Sequence, residues 1–153
     1  MSFKNILCFG TLNPDLIYFV DELPNKGDDI RSLNSSIRPG GTAINCSELI
    51  SLWDKSVHVR GNSIGSDPMG KYLVDYLKEN NINFDGLIIN QSLTPTCSIF
   101  VDSSGERTIV SSGYEGLEWS NFENLNNFDS LIIDRYSIKF INCLLYTSDA
   151  ADD

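Results

Sequence analysis

Short apolar runs alternate with helical patterns along most of this chain, and this alternation restricts it to a small set of folds. Residues 5–9 and 131–134 are apolar runs of the length expected for buried strands, and residues 57–60 are expected to form a short strand. Residues 42–53 and a segment that begins at Asp67 carry apolar side chains at helical spacing. Repeated strand–helix–strand units imply a parallel sheet with right-handed crossovers. At 153 residues the chain suffices for one ordinary core, so we predict a single α/β unit.

The predicted helices differ in their sequence signals. The first, residues 42–53, has an apolar stripe that we expect to pack on the sheet, formed by Ala43, Ile44, Leu49, Ile50 and Trp53. The second begins at Asp67-Pro68, where Asp67 suits the N-cap and Pro68 the first helical position. We also expect Ser137 to cap a further helix that has barely begun.

Two segments interrupt the alternation and predict a second, smaller sheet. Residues 30–37 show the weak period-2 pattern of an exposed strand, and residues 96–111 are typical of a β-hairpin. Together with a strand at residues 16–20, they would form a β-lid over the ends of the core strands. The predicted fold is therefore a parallel-sheet core with flanking helices and a small β-lid.

The composition argues against several classes of partner. The formal net charge of −10 disfavours nucleic acid and anionic membrane, since both favour an excess of Lys and Arg. No apolar run approaches the roughly 20 residues that span a bilayer, and the N-terminus lacks the pattern of a signal peptide. Cys8, Cys46, Cys97 and Cys143 have no metal-binding or redox spacing. We therefore expect a cytoplasmic protein with reduced thiols and no metal site.

Two polar clusters follow predicted strands and suggest one ligand pocket. Residues 10–15, Gly-Thr-Leu-Asn-Pro-Asp, follow the first strand, and residues 40–45, Gly-Gly-Thr-Ala-Ile-Asn, open the first helix. Ligands of open α/β sheets bind at the carboxyl ends of strands. Asp15 would accept hydrogen bonds from two adjacent hydroxyl groups and Asn13 would add a donor and an acceptor, which favours a sugar. The alternative is that these residues only form a turn.

The glycine pair Gly40-Gly41 would let backbone N–H groups approach a ligand at a helix N-terminus. Neither polar cluster is a P-loop or a GxGxxG dinucleotide loop. A tight turn before a helix is the alternative for the pair, but it explains less well why Asn45 lies one turn into the helix. Arg107 is either a solvated edge residue or a lid residue over an anionic phosphate. His58 we expect to be an exposed strand residue.

The order of these motifs resembles the N-terminal half of ribokinase-like, PfkB-type carbohydrate kinases, over roughly residues 4–142. The motifs are Gly-Thr-Leu-Asn-Pro-Asp, Leu-Pro-Asn-Lys-Gly-Asp, Arg-Pro-Gly-Gly-Thr-Ala-Ile-Asn, Ile-Gly-Ser-Asp-Pro-Met-Gly, Thr-Pro-Thr and Gly-Glu-Arg-Thr-Ile-Val. Within the family, residues 30–33 and 94–110 look most like ketohexokinases, which phosphorylate fructose. Thr42 departs from the pattern, because many members carry Lys or Asn there.

The resemblance implies an ATP-dependent kinase that uses Mg²⁺ and phosphorylates a hydroxyl group of a small-molecule sugar, with a fructose-like sugar favoured. In such a pocket Asp15 and Asn45 would bind sugar hydroxyl groups, and Arg107 would reach in from the lid. The remaining pocket residues would be Asn13, Gly40, Gly41 and Thr42. The family resemblance also implies a homodimer formed through the lid.

The family's catalytic base and anion hole come from a Gly-x-Gly-Asp helix start, which this sequence does not contain. We therefore expect residues 1–143 to be the substrate-binding part of a kinase domain, with its C-terminal half absent, no catalytic residue and no activity as this fragment. Residues 144–153 resemble translated sequencing-adapter sequence, so we expect an artefactual or disordered tail; a genuine acidic tail is the alternative. A nucleoside kinase of the same fold and a non-catalytic sugar-binding or dimerisation module are the competing functions.

Overall fold

The elements along the chain follow the alternation that the sequence predicts. A computed structural model describes residues 4–53, 55–121 and 124–139. Its helices are α1 (Thr42–Ser51) and α2 (Pro68–Glu79), with a short 3-10 helix at Leu125–Asn127, and none of them is long and apolar enough to cross a membrane. Its strands are β1 (Asn5–Gly10), β2 (Asn13–Phe19), β3 (Asn34–Gly40), β4 (Ser56–Gly61), β5 (Ile64–Gly65), β6 (Ile89–Asn90), β7 (Thr96–Val101), β8 (Arg107–Ser112) and β9 (Ser130–Ile133). The tail expected at residues 144–153 lies outside the described residues, as does Cys143.

A parallel sheet of three strands, in the order β4-β1-β9, forms the centre of the fold. Each of these strands lies within one residue of its predicted limits. Helix α1 packs on β1 and β4, and helix α2 packs beside β5. Burial of each aliphatic side chain between them contributes about 1.5–3 kcal/mol. The core consists of Ile6, Cys8, Leu12, Ala43, Ile44, Ile50, Val57, Val59, Ile64, Leu73, Leu77 and Ile82. The predicted α/β class is confirmed.

A second sheet of four strands, in the order β3-β2-β7-β8, is the lid sheet. Strand β2 pairs antiparallel with β3 and parallel with β7, while β7 and β8 form an antiparallel hairpin. The strand expected at residues 30–37 is shifted to Asn34–Gly40, and the one expected at residues 16–20 begins earlier, at Asn13. The reason is pairing, because β3 forms a ladder along the whole of β2, from Asn13 opposite Gly40 to Phe19 opposite Asn34.

Helix α1 buries a different stripe from the one expected. Leu49 and Trp53 are 56% and 62% exposed, and the helix ends at Ser51, before Trp53. The buried side chains are Ala43, Ile44, Ser47 and Ile50, which recur at the 3.6-residue period of one helix face. Ser47 can lie on this face because its hydroxyl group donates to the Ile44 carbonyl (2.8 Å) and is therefore paired although it is buried.

Helix α2 begins as predicted, with Asp67 as its N-cap. Asp67 Oδ1 accepts hydrogen bonds from the Gly70 backbone N–H (2.8 Å) and the Thr94 hydroxyl (2.7 Å), and Oδ2 accepts one from the Thr94 N–H (2.8 Å). Burial opposes ionisation of Asp67, but these hydrogen bonds outweigh it and lower the pKa of the carboxyl group. One carboxylate therefore caps α2 and ties it to the loop before β7.

Replacing Asp67 with alanine is expected to destabilise the protein by about 1–2 kcal/mol near neutral pH, because the helix loses its cap and Thr94 loses its acceptor. The folded pKa lies below the ordinary value of 3.8, so the contribution is complete above about pH 4 and is lost as the pH falls through the folded value. Urea unfolding of wild type and Asp67→Ala from about pH 7 to about pH 2 should show a shrinking difference.

Asp29→Asn, which removes a charge from an exposed loop residue, is the control and should leave the free energy of unfolding nearly unchanged. A difference between wild type and Asp67→Ala that stays constant across this pH range would contradict the role assigned to the carboxylate.

Candidate functional site

The loop between β1 and β2 is anchored at the carboxyl edge of the core sheet. The Leu12 N–H donates to Asn62 Oδ1 (2.8 Å), and Asn62 Nδ2 donates to the Leu12 carbonyl (3.0 Å). The Thr11 N–H donates to Asp134 Oδ2 (2.9 Å). Asn62 follows β4 and Asp134 follows β9, and both side chains are buried. The carboxyl ends of all three core strands therefore meet at this loop, where their side chains satisfy its backbone.

Asp134 also takes the part that the sequence analysis gave to Ser137. Its Oδ1 accepts a hydrogen bond from the Ser137 backbone N–H (2.8 Å), which caps the turn after β9. A helix does begin directly after Ser137, at residue 138, but the Ser137 hydroxyl group has no hydrogen-bond partner within the described part of the chain, so the expected capping by its side chain is wrong. Asp134 directly follows an apolar strand and precedes a turn. The turn supplies the Ser137 backbone N–H, which has no partner within a strand and can donate to the carboxylate.

The N-terminus of α1 is held against the same loop. The Thr42 N–H donates to Thr11 Oγ1 (3.2 Å), and the Ala43 N–H donates to the Thr11 carbonyl (3.2 Å). Gly41 makes this approach possible, because its φ is +85° and a Cβ there would lie 2.2 Å from the Thr11 carbonyl oxygen. The second residue of the pair, Gly41, must therefore be glycine for structural reasons alone.

Asp15 points from β2 across the end of β3. A Cβ on Gly40 would lie 2.3 Å from an Asp15 carboxylate oxygen, so only glycine leaves room for the carboxylate there. Asn13 Nδ2 donates to Asp15 Oδ1 (2.6 Å), and the Tyr114 hydroxyl donates to Asn13 Oδ1 (2.8 Å). Burial raises the pKa of Asp15, and the hydrogen bond from Asn13 opposes this rise. The described residues give Asp15 Oδ2 no hydrogen-bond donor.

These residues border one open cleft of about 1200 Å³ between the carboxyl edge of the core sheet and the lid sheet. Of the residues proposed from the sequence, six line it: Asn13, Asp15, Gly41, Thr42, Asn45 and Arg107. Gly40 lies behind the Asp15 carboxylate and shapes the wall. Asn45 is exposed rather than buried, as a side chain directed into an open cleft must be. The structure thus brings the two polar clusters and the lid arginine together.

The cleft includes residues that the sequence analysis missed. Cys97 lies beside Asp15 because β7 pairs with β2 at that register, and pairing between distant strands leaves no local signal. Tyr114 lies between Gly113 and Gly116, which both have positive φ. An aromatic residue between glycines was the one local sequence feature that could have indicated a role for Tyr114. The other lining residues are Thr11, Ile99, Ile109, Ser111, Ser112, Glu115, Trp119, Arg135, Tyr136 and Lys139.

His58 lies outside the cleft and is half-buried rather than exposed. Its ring packs edge-on against Phe128, with the ring centroids 4.9 Å apart. Burial, together with the nearby Arg60, lowers the pKa of His58. The expectation of an exposed residue is corrected because Phe128, from the segment before β9, packs on this side chain.

Three cations border the cleft. Arg107 borders it from the lid sheet, and Arg135 and Lys139 border it from the segment after β9. Three cations around one cleft suit an anionic ligand, particularly in a chain of net charge −10. Among the described residues, no group of three His, Cys, Asp or Glu side chains is arranged to hold a metal ion.

Comparison with known proteins matches residues 4–147 to the pfkB family carbohydrate kinase model. A ribokinase from Dictyostelium discoideum is 28% identical over 108 residues, which are 70% of this chain and 34% of the relative. A ketohexokinase from Mus musculus is 30% identical over 112 residues, which are 72% of this chain and 37% of the relative. The chain therefore spans about a third of the length of the curated relatives it matches.

Solved structures share the fold at lower identity. The fructokinase of Halothermothrix orenii superposes with a TM-score of 0.75 at 16% identity, covering 95% of this chain and 54% of that one. The Arabidopsis thaliana ribokinase complexed with ribose and ATP gives a TM-score of 0.71 at 19% identity, covering 88% and 46%. These similarities establish the fold and are consistent with the layout of core and lid sheets.

Replacing Gly41 with alanine is expected to destabilise the protein by about 2 kcal/mol more than replacing Gly105 with alanine. Both glycines have φ near +85°, but a Cβ at Gly105 meets no atom within 4 Å, whereas one at Gly41 would collide with Thr11. Both variants carry the cost of a positive φ, so the difference between their free energies of unfolding in urea measures the cost of the collision with Thr11. Equal losses would mean that α1 does not press on the β1–β2 loop.

Proposed function

We propose a function from one premise: this chain belongs to the pfkB family of carbohydrate kinases, as its motif order predicted. In this proposal it forms the sugar-binding part of an ATP-dependent kinase that transfers the γ-phosphoryl group of ATP to a sugar hydroxyl group. A fructose-like sugar is the favoured substrate, supported by the ketohexokinase relative and the fructokinase fold. Because the chain covers about a third of its relatives, the activity of the whole protein is part of the proposal.

The Asp15 carboxylate is the single observation that carries the proposal. It faces the cleft with Oδ1 held by Asn13 and with no donor to Oδ2 among the described residues. A carboxylate accepts well from the hydroxyl groups of a sugar, and such charge-assisted hydrogen bonds are the stronger kind. A partly buried carboxylate oxygen without a protein donor is stabilised when a polyol replaces the water that it would otherwise bind.

The N-terminus of α1 would complete the sugar site. Asn45 would donate or accept through its amide, and Thr42 would offer its hydroxyl group beside it. Gly41 would let the sugar approach the helix N-terminus closely, while Gly40 would keep the Asp15 carboxylate in place. Arg107 would close the site from the lid sheet.

The cations that border the cleft suit the polyphosphate of a nucleotide. Arg135 and Lys139 lie where phosphate oxygens would face positive charge, and the A. thaliana ribokinase is described with ribose and ATP. ATP with Mg²⁺ would supply the phosphoryl group and neutralise its developing charge. No catalytic base is proposed among the described residues, since the sequence has no Gly-x-Gly-Asp. We therefore propose that this chain binds and orients the sugar but does not phosphorylate it alone.

We propose two further properties on the same premise. The lid sheet exposes the apolar side chains of Ile37 and Val110 on the face that carries Leu16, opposite to the face of Asp15, and a homodimer through that face would cover them. Cys8, Cys46 and Cys97 are free thiols, which suits a reducing, cytoplasmic compartment.

Asp15→Asn is expected to weaken sugar binding about ten- to a hundredfold, because a charge-assisted acceptor is lost. Isothermal titration calorimetry with D-fructose, D-ribose and adenosine gives the measurement, with Asp29→Asn as the charge-matched control. Binding of adenosine but neither sugar would favour the nucleoside kinase alternative. Sugar affinity that is equal in wild type and Asp15→Asn would refute the pocket assignment.

Sugar binding should also depend on pH through Asp15. Its pKa lies above the ordinary value of 3.8, so the ionised acceptor is lost at a higher pH than for an exposed aspartate. The affinity of wild type for D-fructose or D-ribose should therefore fall as the pH decreases through the raised pKa. Calorimetric titrations between about pH 7.5 and about pH 4.5 should show this fall in wild type and a flat profile in Asp15→Asn. Parallel profiles in the two proteins would contradict the role of Asp15.

A further inference from the structure

We propose that Tyr114 is a positioning residue for the sugar-binding carboxylate: its hydroxyl group donates to the Asn13 amide oxygen and so stabilises the orientation in which that amide donates to Asp15. The effect on sugar binding rests on the proposed function. The geometry rests on the side chains of Asp15, Asn13 and Tyr114. Tyr114 lies outside both polar clusters of the sequence, in the glycine-flanked segment after β8.

The direction of each hydrogen bond follows from the chemistry of its end groups. An ionised carboxylate only accepts, so the atom of Asn13 that lies 2.6 Å from Asp15 Oδ1 must be the amide nitrogen. The amide oxygen then faces the Tyr114 hydroxyl group at 2.8 Å, which must donate to it. Cys97 Sγ lies 3.6 Å from the same hydroxyl group, and its thiol can donate to the phenol oxygen. The groups therefore form one directed chain, from Cys97 through Tyr114 and Asn13 to Asp15.

Asn13 is occupied at both ends by this chain. Its Nδ2 donates to Asp15 Oδ1 and to the Pro14 carbonyl (3.3 Å), and its Oδ1 accepts from Tyr114. The side chain is only 2% exposed, so it has little surface left for a ligand. Asn13 therefore acts on the sugar through Asp15, and Tyr114 acts through Asn13.

Without the phenol hydroxyl group the Asn13 amide oxygen loses its donor, so the orientation that donates to Asp15 is favoured less over the flipped one. In the flipped orientation Asn13 would turn its oxygen toward Asp15 Oδ1, and two acceptors would face each other. That arrangement favours a protonated carboxyl group, which is a poorer acceptor for sugar hydroxyl groups. Tyr114 thus favours the ionised form of Asp15.

The test is a double-mutant cycle of Tyr114→Phe and Asn13→Ala, read by the affinity for D-fructose and D-ribose. Tyr114→Phe should raise the dissociation constant about five- to tenfold in wild type and hardly at all when Asn13 is already alanine. Tyr18→Phe is the matched control, because it removes a hydroxyl group from the same lid sheet, where the ring stacks on Phe100 with centroids 5.4 Å apart. Equal effects of Tyr114→Phe in both backgrounds would overturn the proposal.

A second readout needs no sugar and separates this inference from the proposed function. NMR titration of the Asp15 side-chain carboxyl carbon should give a higher pKa in Tyr114→Phe than in wild type or Tyr18→Phe. Only the phenol changes among the ionisable groups around Asp15, which are Arg38, Cys97, Arg107, Tyr114, Glu115, Asp134, Arg135 and Lys139. Coincident titrations would overturn the positioning role even if sugar binds. A shifted titration with no sugar binding would support that role and reject the proposed function.

A measurement on the unmodified protein makes the test independent of how the variants fold. The two Asn13 side-chain amide protons should exchange slowly with solvent and show nuclear Overhauser contacts that distinguish the Asp15 side from the Tyr114 side. A fast-exchanging or rotationally averaged Asn13 amide would overturn the proposal.

Discussion

The backbone N–H and C=O groups of the loop after β1 need hydrogen-bond partners within the protein, and the rest of the structure depends on how these partners are supplied. Asn62 binds both polar groups of Leu12, and Asp134 accepts from Thr11. Thr11 in turn accepts from the first residues of α1. Each unpaired buried group would cost about 1–3 kcal/mol, so this short loop can turn from the core sheet into the lid sheet only with these partners in place. Two buried side chains thus fix where the cleft lies.

The core sheet was predictable from the sequence because its information is local. Strands β1 and β9 are largely apolar runs, and the Asp67-Pro68 pair marks the start of α2 by its own chemistry. The lid strands were less predictable, since β3 takes its limits from the pairing with β2 and not from its own pattern. The prediction of the buried face of α1 was wrong in part because it followed apolar content. Apolar content suggested Trp53, whereas the helical period places Ser47 on the buried face.

The cleft shows the same division between local and long-range information. Asp15, Gly41 and Asn45 lie in motifs that announce a turn or a helix start, so their proximity could be predicted from strand ends. Cys97 enters the cleft through strand pairing across the lid sheet, and Tyr114 through the segment after β8, neither of which composition and spacing encode. Asp134 completes the loop after a strand that forms far along the chain. Cys97, Tyr114 and Asp134 thus reach Asp15 and its loop only through long-range contacts.

The lid sheet leaves the core through β2 and returns to it through β3, and both crossings lie side by side. Two residues separate β1 from β2, and Gly41 alone separates β3 from α1, packed against Thr11. Asp15 is therefore close to both of these crossings, whereas Arg107 begins β8, the edge strand farthest from β3. The carboxylate thus occupies the part of the lid sheet that these two crossings hold against the core, and Arg107 lies where the sheet is held through the pairing of β8 with β7.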